Sequence, residues 1–191
     1  MSRRPDPTRR SEQSRQAIVS AAVDLCVEIG YAATTIEAIA ARAGVGKQTI
    51  YRWWPSKAAV LLEHMTRVRE TQIGFPDTGD LRVDLLAQTS AVQGLFASDT
   101  GAVWRGLLIA ALSDDVAADG VRTLLQAAVV EAKGRLATAQ KTGELRADVD
   151  LDMVVEIIYG PLYHAWLLTG RPLPEAYMEE VLSSVFDGLR P

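Results

Sequence analysis

The sequence predicts an all-α protein. It reads as an N-terminal three-helix helix-turn-helix head followed by a C-terminal helical-bundle body, about nine helices in all. Three observations predict this. Apolar residues recur at helical spacing through most of the chain, and no run alternates with period two for long. Residues 35–57, TIEAIAARAGVGKQTIYRWWPSK, read as a helix, a tight glycine turn and a second short helix ending in basic and aromatic residues. At 191 residues the chain can bury a real core as one large or two small domains.

Residues 1–10, MSRRPDPTRR, hold two prolines and four arginines and are expected to form a flexible basic arm. The head is expected at 11–57 and the body at 58–191. Ser11 or Thr8 can cap a first helix over 11–29, with Ile18, Ala21, Ala22, Leu25 and Ile29 as its inner stripe. Gly30 ends that helix, and Tyr31 packs beyond the cap. In the second helix Ile36, Ile39, Ala40 and Ala43 share one face. Thr34 with Glu37 matches a capping box at its start, and Gly44 follows at the position where a left-handed backbone costs glycine nothing. The third helix, about 46–53, continues the apolar face through Ile50 and Trp54. Pro55 breaks the chain, and Ser56 caps a fourth helix over 57–73.

Residues 74–80, GFPDTGD, form a loop by composition. Helices are expected beyond it at about 81–97, 100–112, 120–141, 150–169 and 175–189. Their punctuation is Asp99-Thr100, Asp114-Asp115, Gly143 and Arg171-Pro172-Leu173-Pro174. The helix at 150–169 stands apart. Leu151, Val154, Val155, Ile158, Leu162, Ala165 and Trp166 make one apolar stripe, while Met153, Ile157, Leu167 and Leu168 lie elsewhere around it. A helix apolar on most sides must be covered on both, here by the core and by a second subunit. A wholly intramolecular core is the plainer alternative. Tyr177, Val181, Leu182, Val185, Phe186 and Leu189 offer the last helix for the same purpose, and Pro161 is expected to kink or locally break the 150–169 helix.

Net charge is −4, but it is unevenly spread. Residues 1–57 carry nine Lys/Arg against five Asp/Glu, and the remaining 134 carry eleven against nineteen. A basic head on an acidic body is the asymmetry of a protein that meets phosphate at one end. The single cysteine, Cys26, excludes an internal disulfide framework and sits among Val23, Leu25, Val27 and Ile29 as a buried helix position. With no run of eighteen apolar residues and no signal-peptide core, a soluble, cytoplasmic protein is expected, with no membrane partner. No catalytic constellation is visible. His64 and His164 are the only histidines, neither has metal-ligand spacing, and no phosphate loop or nucleophile elbow occurs. Neither an enzyme nor a metal or other cofactor is expected.

The candidate DNA contacts fall on the third helix and its surroundings. Thr35, Tyr51, Trp53 through its indole N–H, and Lys57 are suited to phosphates. Lys47 can donate to guanine O6 or N7, Gln48 can pair with adenine N6 and N7, and the Thr49 methyl can meet a thymine. Arg52 reaches a base or a phosphate, and Gly46 lets the backbone approach closely. Trp54 is a core residue sealing the head. Glu37 is a departure on a DNA-facing helix, suited to an ion pair or to accepting from cytosine N4. Arg3, Arg4, Arg9 and Arg10 either reach the minor groove and nearby phosphates or are disordered.

These residues resemble the DNA-binding head of the tetracycline-repressor-like (TetR-like) regulators. The shared elements are Gly30-Tyr31, Thr34-Thr35, Ile39-Ala40, Ala43-Gly44-Val45, Thr49-Ile50-Tyr51, Trp53-Trp54 and Ser56-Lys57. A weaker likeness covers Gly160-Pro161-Leu162-Tyr163 and residues 167–173. The resemblance implies that Thr35 caps the second helix with its hydroxyl near a phosphate, leaving two readings of that helix start. It implies a homodimer through the last two helices, about 150–169 and 175–189, and a repressor released from a palindromic double-stranded DNA operator by a small-molecule effector in the body. Met65, Phe96, Trp104, Tyr159, Tyr163 and Trp166 are large groups suited to such a ligand, with Arg105 or His164 for a polar end. The competing reading is a helical adaptor protein whose head engages another partner and whose body has no effector.

Overall fold

The computed structural model describes residues 7–171, 173–174 and 176–189, with side chains from 11 to 186 within those ranges. Among the described residues there is no strand. The helices are α1 (Pro7–Ala33), α2 (Ile36–Ala43), α3 (Lys47–Tyr51), α4 (Lys57–Gln72), α5 (Leu81–Phe96), α6 (Asp99–Ala110), α7 (Asp115–Thr142), α8 (Leu151–Tyr163) and α9 (Tyr177–Leu189). A π-helical run, His164–Thr169, extends α8.

Helix α1 starts at Pro7 rather than at residue 11. A proline at the first helical position loses no bond, since that N–H has no intrahelical partner, and its φ is already helical. Residues 7–10 are therefore the first turn of α1, and the rest of the expected arm, residues 1–6, lies outside the described residues. The backbone leaves helical geometry at Gly30, with φ 81° and ψ 159°. Gly44 takes the left-handed conformation at the end of α2, with φ 66° and ψ 33°. Both angles are ones that only glycine adopts without strain.

The chain divides into two compact units. One comprises the residues through Arg67 together with Asp99–Arg122, and the other Val68–Ser98 with the residues from Thr123 onward. The first unit is thus larger than the 11–57 segment, because α1 packs on α6 as well as on α2. Ile18, Ala21, Ala22, Leu25 and Cys26 of α1 are buried, while Ile29, expected in the same stripe, is half exposed. By length and mean hydropathy alone, residues 11–33 would pass as a membrane span. Here the apolar stripe of that helix faces the interior of the unit.

The approach of α6 to α1 depends on Gly106. A Cβ at that position would lie 2.7 Å from Cβ of Tyr31 and 3.8 Å from Sγ of Cys26. Cβ of Tyr31 is fixed to its backbone and cannot swing aside. Gly106→Val is therefore expected to destabilise the protein by about 1–3 kcal/mol. A urea midpoint unchanged from the parent protein would show that this contact does not constrain the unit.

In the second unit, α9 packs on α5 and α8. The α8 stripe is buried at Val154, Val155, Ile158 and Leu162 and continues through Ala165 and Trp166 of the π-helical run. Met153, Ile157 and Leu168 remain exposed. Pro161 does not break the helix. α8 runs on for two residues past it and is followed by the π-helical run. Among the described side chains of α9 the buried residues are Met178, Leu182 and Phe186, and the expected Leu189 lies outside them. Met178 replaces the expected Tyr177, since i, i+4 and i+8 form a single helical row.

The loop before α5 is built around charge. The side chain of Asp80 accepts from the backbone N–H groups of Arg82 and Val83, capping α5. Asp84, fully buried, accepts from the backbone N–H and the hydroxyl of Thr78 at 3.0 and 2.7 Å. Its other oxygen accepts from Nε of Arg135 on α7 at 2.7 Å. Arg135 also faces Glu144 at 3.5 Å, and Glu144 in turn accepts from the backbone N–H of Leu81 at 2.7 Å. This network joins the 74–80 loop, α5 and α7, and the sequence reading did not foresee it.

Candidate nucleic-acid interface

The recognition segment is positioned by two helix ends. Thr35 is the N-cap of α2, its hydroxyl accepting from the Ala38 backbone N–H at 3.1 Å. Thr34 is buried and its hydroxyl donates to the Gly30 carbonyl at 2.8 Å. This settles the two readings of the α2 start. Glu37 is then the second residue of the helix rather than the third, so no capping box closes.

Between Gly44 and α3, Val45 turns the chain and Gly46 caps α3 in an extended conformation, with no atom within 4 Å of where a Cβ would stand. Ile50 and Trp54 face inward and are buried. Gly46, Lys47, Gln48, Tyr51, Arg52 and Trp53 are exposed, and Thr49 is partly so. The sequence-predicted reading residues therefore share one outward surface with Thr35 exposed at its side.

Two stacks and an ion pair shape this surface. The Trp53 ring, 41% exposed, has the guanidinium groups of Arg15 and Arg52 over it, at 5.5 and 5.4 Å from its centroid. Trp54 donates its indole N–H to Glu63 at 2.8 Å, and Arg15 donates to the same carboxylate oxygen at 2.8 Å. Trp54 thus seals the head and is also polar-anchored. Lys47 and Glu37 pair at 2.9 Å, with side chains 54% and 64% exposed. The hydrogen bond between them lowers the Glu37 pKa and raises that of Lys47.

Lys57 is bound within the head. Its Nζ donates to the carbonyls of Tyr31, Ala32 and Thr34 at 2.7, 3.2 and 2.7 Å, and lies 4.4 Å from the Tyr31 ring centroid. An ammonium has three donors, so all are taken by the end of α1 and the start of the α2 connection. Burial lowers the Lys57 pKa. Lys57 therefore ties α1 to α4, where a direct phosphate contact was expected.

The ligand candidates are divided between the two units. Met65, Trp104 and Arg105 belong to the first unit, and Phe96, Tyr159, Tyr163, His164 and Trp166 to the second. Met65 and Trp104 are buried and Arg105 is exposed. Phe96 stacks on Trp166 with centroids 4.0 Å apart, and Tyr163 meets both edge-on at 5.1 and 6.2 Å. Tyr159 donates its hydroxyl to Oε1 of Gln88, and burial raises its pKa. His164 is exposed. A surface cleft of about 260 Å³ in the first unit, lined by Arg15, Val19, Val23, Glu63, His64 and Arg67 among others, contains none of these candidates. Only the apposition of α1 and α4 makes it, so no local sequence signal marks it.

A helix-turn-helix with a polar, partly basic outer face on a helical body defines a DNA-binding transcriptional regulator. Comparison with known proteins agrees. The chain is 34% identical over 182 residues to the HTH-type transcriptional regulator YdeS of Bacillus subtilis, covering 95% of this chain and 92% of that one. It is 27% identical over 181 residues to the DNA-binding transcriptional repressor TetR of Mycobacteroides abscessus, covering 92% and 93%. Its fold is similar to the crystal structure of the TetR family transcription regulator SCO0332, with TM-score 0.76 and 34% identity over 94% of this chain and all of that one. Residues 18–64 match the family of bacterial regulatory proteins, tetR family, and residues 75–185 match the tetracyclin repressor-like C-terminal domain. The chain belongs to the TetR family.

Proposed function

We propose that the protein is a homodimeric repressor that reads a near-palindromic operator through α3 and is released from it by a small molecule bound in the second unit. The observation that carries the DNA reading is the division of α3 and its flanks. Ile50 and Trp54 are buried, while Lys47, Gln48, Tyr51 and Arg52 face solvent together. Gln48 and Lys47 read base edges, and the Thr49 methyl meets a thymine. Thr35, Tyr51 and Trp53 hold phosphates, with Arg52 at the border. Lys57 acts by holding α1 against the start of α4, so that its effect on affinity is through position. The repressor reading is supported by the name of the Mycobacteroides relative.

The dimer is supported by Met153, Ile157 and Leu168, which stay exposed on a helix whose opposite face is fully buried. Two α3 helices must then sit about 34–36 Å apart, or a multiple of that, to enter successive major grooves on one side of the duplex. In the second unit, the Phe96–Tyr163–Trp166 cluster with the Tyr159–Gln88 hydrogen bond is suited to an apolar ligand with one polar end. His164 stands at its edge in sequence. A ligand that prefers a form unsuited to DNA weakens operator binding by its difference in affinity for the two forms.

Selection of bound sequences from a random duplex library, repeated at two salt concentrations, tests this reading. Enrichment of a near-palindrome is expected. Tyr51→Phe should then weaken binding to every sequence alike, by about 1.5–3 kcal/mol for a lost bond to a charged group. Gln48→Ala should relax preference at one position per half-site, by about 1–3 kcal/mol. Weak binding without enrichment would favour the adaptor reading. Uniform weakening by both substitutions would overturn the division into positioning and reading residues.

A further inference from the structure

We propose that Glu37 and Lys47 form a single reading unit for a G·C base pair, in which Glu37 is a specificity-determining residue. The inference rests on the proposed reading of DNA by α3 and names a residue outside that helix.

The local bonds of Glu37 are few: its carboxylate accepts from its own backbone N–H at the start of α2 and from Lys47. Thr35 is the N-cap of α2, and Glu37 stands one residue short of the position from which it would close a capping box. Its carboxylate points away from the core and meets Lys47 across the helix-turn-helix at 2.9 Å, both side chains more than half exposed. An acid in a first helical turn does favour the helix dipole, but many exposed positions would serve for that. A carboxylate on a surface that faces phosphates is repelled unless it finds a donor. In the major groove the only base donors are the exocyclic amines, N4 of cytosine and N6 of adenine.

The order of groups on the base edge decides between those two. A G·C pair presents two adjacent acceptors, guanine N7 and O6, and then the cytosine N4 donor. An ammonium beside a carboxylate matches that order. Lys47 takes the two acceptors and Glu37 takes the amine. An A·T pair places its donor between two acceptors, with the thymine methyl at the edge. There the Glu37 carboxylate would face acceptors on both sides, and Lys47 could reach only one of them.

Glu37 also restrains Lys47 elsewhere. Unpaired, an exposed lysine binds any phosphate within reach and adds affinity without information. Paired, it gives up its partner only where the base edge replaces both halves of the bond. Glu37 thereby lowers affinity for wrong sequences more than for the right one.

The test is the same random-duplex selection applied to the parent protein, Glu37→Ala and Glu37→Gln, with thermal melting of each as a folding control. The parent is expected to prefer G·C at one position per half-site by about tenfold or more. Glu37→Ala should bind all duplexes several-fold more tightly and lose most of that preference, with the other positions unchanged. Glu37→Gln should shift the same position towards A·T, since a carboxamide can pair with adenine. Tighter binding with every preference intact would mean that Glu37 only repels phosphate, and would overturn the inference. So would altered melting with unaltered preference, which would mark a helix-stabilising role. Failure of the parent protein to enrich any sequence would overturn the DNA reading itself, and this inference with it.

Discussion

Asp84→Ala is expected to destabilise the protein by about 3–5 kcal/mol, the usual cost of removing one partner from a buried ion pair. Asp84 and Arg135 have side chains 0% and 4% exposed and meet at 2.7 Å. Without Asp84, the guanidinium remains buried and loses its shortest contact, keeping Asp77 at 3.3 Å and Glu144 at 3.5 Å. The Thr78 backbone N–H and hydroxyl lose their acceptor as well. Since small domains are stable by only about 5–15 kcal/mol, much of the population would unfold. Equilibrium urea unfolding measures the loss. The double substitution Asp84→Leu with Arg135→Met should cost less than Asp84→Ala alone, because it removes both charges instead of stranding one. A double variant that is the less stable of the two would show that the charges, not their pairing, hold this region.

The same pair sets an acid limit. Burial alone would raise the Asp84 pKa, but the hydrogen bonds from Thr78 and Arg135 and the charge of Arg135 outweigh it and lower it. The Glu144 pKa is likewise lowered, chiefly by the Leu81 backbone N–H. A carboxylate with a depressed folded pKa contributes stability that is complete above its unfolded value, about 3.9 for Asp and 4.3 for Glu. That contribution is lost as pH falls through the folded pKa. Urea midpoints measured from pH 6 downward should therefore be level until about pH 4 and then fall. The double variant should fall less steeply, having no Asp84 to protonate.

Ile157→Lys is expected to have the largest effect on DNA binding of any substitution outside the head. Ile157 is 42% exposed on α8, one helical turn beyond Met153, which is also exposed. If this face joins two subunits, a lysine there places an unpaired charge in the interface from each copy. The isolated protein should fold as before, because the inner face of α8 is untouched. Loss of the dimer removes the effective concentration that links two half-sites, which is worth about 10²–10⁴ in affinity. Sedimentation equilibrium should show a monomer, and binding to a two-half-site duplex should fall by a factor of that order. A dimer that persists with unchanged operator affinity would place the subunit interface elsewhere.

Much of this was legible because it is local. The end of α2 was visible in Gly44, and the outward set on α3 followed from the burial of Ile50 and Trp54 at helical spacing. The exposed Met153 and Ile157 followed from an α8 stripe that left them on the far side. Periodicity says which face of a helix is covered. It does not say by what, and the failures have that cause. The α6 helix joins α1 through the Gly106–Tyr31 approach, which no pattern around either residue announces. Lys57 carries the family motif, yet its ammonium ends on carbonyls 23 to 26 residues away. The Asp84–Arg135 bond spans 51 residues. The helices, most of their buried faces and the outward set on α3 were legible locally, because these depend on neighbours within a turn or two of helix. Which charges are buried together and which carbonyls hold Lys57 depend instead on which distant helices meet, and no local pattern carries that.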